Sequence, residues 1–168
     1  MDELRVVARY AMEAAEESLP IFERAEPDDA RPREGIQAAR VFADGAARTR
    51  LQRVTARDAH RAAKDARDSA AQHAARAAGD AAAAAYLHPL AQATQVAHIL
   101  RAAANAAHAA ELDAGADPAV GDALIERARR RATPVLIDVL SRYPSAPAGA
   151  SRVSALMQTL DTALRRSR

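Results

Sequence analysis

The sequence has no cysteine and no tryptophan, only two phenylalanines and three tyrosines, and a single lysine, Lys64, among 168 residues. Without cysteine there is no disulfide, no thiolate nucleophile and no Cys-ligated zinc. The shortage of aromatic residues denies the core its largest anchors. No Gly-rich phosphate loop, Walker-type lysine or dinucleotide fingerprint occurs. No window reaches the ~18 uninterrupted apolar residues that a membrane span needs. The opening MDELRVVARY is acidic at once and lacks the basic and then apolar regions of a signal peptide. A cytoplasmic protein is the resulting expectation.

What the chain has instead is alanine, 48 residues of it, and arginine as nearly all of its positive charge. Strong Ala and Arg usage with few β-branched residues favours helix throughout. The same bias points to a GC-rich bacterial genome. A core of Leu, Val, Ile and Ala requires helices that approach each other closely and bury modest area per residue, so a second subunit, as a homodimer, would add stability. The net charge is +2, and the pI near 9.5 reflects a small excess of Arg over a nearly equal acidic count. That balance argues against nucleic acid as a partner.

Apolar periodicity lays out the helices. Leu4, Val7, Ala11, Ala15 and Leu19 form one stripe on a first helix over residues 2–22, which Pro20 kinks or restarts. Pro32 opens a second helix carrying Ile36, Ala39 and Phe42, which stops at Asp44-Gly45. Residues 46–78 are helical again, with Leu51, Val54 and Ala59 turned inward, and Gly79 marks a break or a close helix crossing. Residues 80–87 and 89–112 are two helical pieces, or one helix kinked at Pro89, because His88 is pushed away from α geometry by the proline after it. A helix over 119–140 is interrupted at Pro134, and a last one over 151–164 carries Val153, Leu156, Met157 and Leu160. The fold expected is all-α: one domain over residues 1–168, a bundle of six to eight mostly antiparallel helices with a proline kink near Pro89. Its loops fall near 25–31, 113–118 and 143–150.

Five histidines could carry chemistry: His60, His73, His88, His98 and His108. None pairs with another at the i,i+3 or i,i+4 spacing of a helical metal site, and His108 with Glu111 is the nearest approach to one. No metal and no cofactor is expected. Gln95, His98, Asn105 and His108 step along one side of the helix after Pro89. Two readings of this stripe stand. It faces water or a neighbouring helix, or it lines a cleft beside the His88-Pro89 bend, which Tyr86 would join. Amides, imidazoles and a phenol beside small Ala walls suit an organic ligand, and His98 could then work as acid–base. No nucleophile is matched to it. A second feature is the basic row Arg50, Arg53, Arg57, Arg61 and Lys64 on one helix face. A phosphate-binding stripe would look like this, but Asp65 and Asp68 follow one turn on and no aromatics lie between the arginines to stack bases, so a solvated, salt-bridged face is the expectation. The run Arg127–Arg131 fits a salt-bridged helix end.

At DDARPREGIQAARVFADG, and again at AARAAGDAAAAAYLHPLAQATQVAHIL and AANAAHAAEL, the chain resembles the small all-helical bacterial domains labelled "putative immunity protein", abundant in actinomycetes. Many of these carry an exonuclease-subunit label that this sequence does not support. The resemblance spans most of the chain, roughly residues 4–164, and is carried by Arg31, Pro32, Arg33, Ile36, Ala39, Arg40, Asp44, Gly45, His60, Gly79, His88, Pro89 and His98. Another branch has a His-x-x-x-His pair where this chain has Tyr86 and Leu90, a departure that removes the best ligand pair for a metal. The resemblance implies binding and blocking of a cognate toxin. Immunity proteins against basic nucleases are usually acidic, so a charge of +2 argues against that target. The expectation is a non-catalytic binding protein that neutralises a toxin or another protein. The alternative is a natural-product binding, biosynthetic or self-resistance protein, with Tyr86, His88, Gln95, His98, Asn105 and His108 around a pocket.

Overall fold

Alanine decides the architecture. In a computed structural model, which describes residues 1–167, the helix Ser69–Ala83 buries Ala70, Ala71, Ala74, Ala75, Ala77, Ala78, Ala81 and Ala82 with Gly79 and Asp80, so that small side chains cover most of its surface. Four other helices lie against it, which larger side chains would hold apart. In chain order the helices are α1 (Asp2–Ala25), α2 (Arg31–Ala43), α3 (Arg50–Asp65), α4 (Ser69–Ala83), α5 (Val96–Asp113), α6 (Pro118–Arg131), α7 (Pro134–Ser141) and α8 (Arg152–Arg166). Helix α4 packs on α1, α2, α3 and α5, while α6 and α8 cover the far side of α5. The described residues form no strand.

The main core gathers the larger side chains: Val7 and Met12 of α1, Ile36 and Phe42 of α2, Ile99 and Leu100 of α5, Leu136 and Leu140 of α7, and Leu156, Leu160 and Leu164 of α8. A second cluster holds only Ile21 and Phe22 as large residues, set among alanines of α3, α4 and α5. The stripes expected on α1, α2 and α8 are buried, with Leu4, Leu19 and Val153 at their margins.

Several boundaries differ from the sequence reading. Helix α1 runs past the expected end at residue 22 to Ala25, as one helix with Pro20 inside it. The proline sacrifices one helical hydrogen bond, and burial of Ile21 and Phe22 just beyond it holds the last turn in place. Residues 46–78 do not form one helix. Thr49 caps α3 in a capping box with Gln52, Ala66 turns to extended geometry, and the Asp68 carboxylate accepts from Ala71 N at 2.8 Å to start α4. Gly79 is a close crossing and not a break: a Cβ there would stand 2.8 Å from His60 Nε2. Around Pro89 the chain leaves α geometry altogether. A 3-10 turn over Ala84–Tyr86, the connection 87–92 and a second 3-10 turn over Ala93–Gln95 divide α4 from α5, so two helical pieces, and not one bent helix, flank His88-Pro89. Leu51 and Val54 are not inward. They are 49% and 39% exposed, because α3 buries Gln52, Thr55, Ala56, Ala59, Ala62 and Ala63 instead.

Candidate functional site

Between α4 and α5 the alanines give way to a row of polar groups. Asp80 of α4 is only 2% exposed. Its Oδ1 accepts from Arg101 Nε at 3.0 Å and Nη2 at 2.7 Å, and its Oδ2 accepts from Asn105 Nδ2 at 2.9 Å. His60 of α3 brings Nε2 to 3.5 Å from the same carboxylate. Asn105 Oδ1 in turn meets His73 Nδ1 at 2.8 Å. An amide oxygen can only accept, so His73 donates from Nδ1 and leaves Nε2 to accept from Arg76 Nη1 at 3.2 Å. The His73 and His108 rings then meet edge to face at 4.5 Å. Beyond them Glu111, buried, is held by Arg152 of α8 at 2.8 Å, and Arg152 also reaches Asp122 of α6 at 2.9 Å. The row therefore ties α3, α4, α5, α6 and α8 together.

Helical spacing explains the alignment. His73, Arg76 and Asp80 on α4, and His98, Arg101, Asn105, His108 and Glu111 on α5, recur at three- and four-residue steps and so share facing sides of two packed helices. Burial pushes the pKa of His60, His73 and His98 down, and neighbouring guanidiniums push the same way, Arg101 and Arg76 for His60, Arg76 for His73 and Arg101 for His98. All three imidazoles are thereby held toward the neutral form. Two ring nitrogens, His98 Nδ1 and His108 Nδ1, are buried without a hydrogen-bond partner; the latter lies 3.5 Å from Glu111 Oε1, outside bonding geometry.

The six residues singled out from the sequence are distributed over separate places. Asn105 and His108 lie in the seam against α4. His98 stands one turn before Arg101 at its end. Gln95 Oε1 accepts from His88 N at 2.9 Å, and Tyr143 donates to His88 O at 2.9 Å, so these groups tie down the connection itself. Tyr86 turns toward α3, where its hydroxyl donates to Thr49 O at 2.8 Å and the guanidiniums of Arg48 and Arg53 stand over its ring at 5.1 and 4.7 Å. None of the six lines the surface hollows at the α1–α7, α2–α3, α7 and α8 faces or the one among α1, α5 and α6. No group of three or more acidic or histidine side chains is placed to hold a metal among the described residues. Sequence reasoning missed His60, His73, Asp80 and Arg101 as members of the cluster. The signal was there in the spacing of His73, Arg76 and Asp80, but its partner residues lay on a different helix.

The Imm-5 like putative immunity protein family model matches residues 2–133. The chain belongs to that family. The match takes in α1 to α6, hence the whole α4–α5 seam and the α2–α3 surface, and leaves α7 and α8 outside it. No curated protein and no solved structure matches the chain. In this family member no helix among the described residues is long and apolar enough to cross a membrane.

Proposed function

We propose that this immunity-family chain works by binding: it holds a partner protein, of the toxin class, through an outer helix face and blocks it without catalysis. The observation that carries the reading is the family match over residues 2–133. The engagement of the seam supports it. Asp80, Arg101, Asn105 and His73 spend their polar atoms on one another across helices, which makes the seam a device for fixing α4 against α5. Binding is then left to the outer surface.

The test is native mass spectrometry of the tagged, purified chain after incubation with extract of its own cells. The expected result is a heteromeric complex whose protein partner is recovered with unchanged mass. Retention of a small molecule instead, with thermal stabilisation lost in His98→Ala, would replace this reading with the ligand-cleft alternative beside His88-Pro89.

A further inference from the structure

Most arginines of this molecule are neutralised in place. Arg9 pairs with Asp44, Arg31 with Asp29 and Asp65, Arg33 with Glu23, Arg40 with Glu16, and Arg129 and Arg130 with Glu126. The unpaired cations are not scattered. Arg48, Arg50, Arg53, Arg57, Lys64 and Arg67 have no carboxylate partner among the described residues, and all lie on α3 or its flanks; elsewhere Arg76 and Arg166 share that state. Arg50, Arg53, Arg57 and Lys64 are exposed on one side of α3. The acids nearest them in sequence are already occupied, Asp58 by Arg61 and Asp65 by Arg31, so the face keeps its charge.

Beside that stripe lies the molecule's cluster of exposed aliphatic side chains. Leu51 is 49% exposed, Val54 39% and Val41 of α2 39%. Val41 and Leu51 also line a hollow of about 240 Å3 between α2 and α3, with Ala38, Thr55, Gln37 and Glu34. An exposed apolar ridge beside unneutralised charge is the anatomy of a protein interface: an anchor region with a charged margin.

We propose that the outward face of α3, with the Val41–Leu51–Val54 ridge, is the docking surface for an acidic, amphipathic segment of a partner protein. This rests on the binding reading above and gives the partner its chemistry. Acidic groups would meet Arg50, Arg53 and Arg57 while an apolar side chain enters the α2–α3 hollow. Nucleic acid fits the face less well. Tyr86, the aromatic residue beside the stripe, has two guanidiniums over its ring and its hydroxyl bonded to Thr49 O, so it offers no free platform for a base, and three aliphatic residues have no use against a phosphate backbone. A second copy docked by two-fold symmetry would set the same cationic stripe against itself.

Fluorescence anisotropy tests this with defined probes. One is a labelled peptide of about 16 residues, the length of α3 as a helix, with Leu at i, i+3, i+4 spacing and Glu elsewhere. The others are its Lys-for-Glu counterpart and an oligothymidylate of matched charge. The expected result is selective binding of the acidic peptide, weakened about tenfold or more by Arg53→Glu/Arg57→Glu and roughly fivefold by Leu51→Ser/Val54→Ser. These positions are exposed, and unchanged melting curves will confirm that the variants fold. Tighter binding of the oligonucleotide, indifferent to Leu51 and Val54, would overturn the proposal in favour of nucleic acid. Concentration-dependent dimerisation abolished by the same variants would overturn it in favour of self-association. Equal or absent binding of both peptides would overturn it outright. If the partner retained from cells binds both variants as well as it binds the unaltered chain, the immunity reading stands and this face is the wrong one.

Discussion

Gly79 and Asp80 are adjacent, and between them they set the crossing of three helices. A methyl group at Gly79 would meet the His60 ring at 2.8–2.9 Å. Gly79→Ala is therefore expected to cost about 1–3 kcal/mol by forcing that ring aside, despite the better helix propensity of alanine, and His60→Ala in the same chain should recover much of the loss; chemical denaturation of the four-member cycle measures it. Asp80→Ala leaves Arg101 and Asn105 without their acceptor, and a loss of about 1–3 kcal/mol is expected in the same assay. The histidines add a pH signature. His60 faces Asp80, Arg101, Arg76 and Lys64, and His73 faces Asn105, Arg76 and His108; both have pKa values lowered in the folded state, chiefly by burial. The unfolded chain then binds protons that the folded chain does not, so stability falls as pH drops below the unfolded histidine value of about 6.5. Melting temperature should decline between pH 7 and 5, and His73→Gln should flatten that decline. Asn105 and His108 were legible in the sequence as one helical stripe. Their contact with His73 and Asp80 was not, because helical periodicity orders residues within a helix and says nothing of which helix lies opposite.

At the scale of the element, propensity and caps carried most of the fold, and the errors have physical causes. Asp68-Ser69 is a good helix start, but in an alanine-rich run it reads as one more polar interruption, so the break at Ala66 passed unseen. Leu51 and Val54 read as inward because they are the largest apolar residues on α3. The packing preferred Ala56, Ala59, Ala62 and Ala63, which let α4 come close. Pro20 read as a kink or restart, yet it is exposed within one helix that Ile21 and Phe22 anchor further on. Pro20→Ala restores a backbone hydrogen bond and should raise stability by roughly 1–3 kcal/mol. Phe22→Ala should remove about 3–5 kcal/mol, because Ile21 is the only other large buried residue of its cluster, with Leu112 packed at the margin. Thermal or urea melts of the two variants would show opposite shifts from positions two residues apart.

On the scale of the whole molecule, the near-neutral total charge conceals a division of labour. Arginines of α1, α2 and α6 are spent on ion pairs, several of which lace neighbouring helices, such as Arg127 and Arg131 with Glu17, while Arg50, Arg53 and Arg57 of α3 have no carboxylate partner among the described residues. Net charge alone could not reveal this, since it sums paired and unpaired cations alike. Under the binding proposal, the α4–α5 seam is structural and the α2–α3 surface is the face that meets the partner. Hydrogen–deuterium exchange of the chain, free and in complex with the protein it retains from its own cells, tests that assignment most directly. The account predicts new protection confined to α2 and α3, around residues 34–57, with the backbone of 98–108 as protected free as bound. Protection concentrated instead at 86–108, with α3 unchanged, would contradict it and return the binding site to the connection around His88 and Pro89.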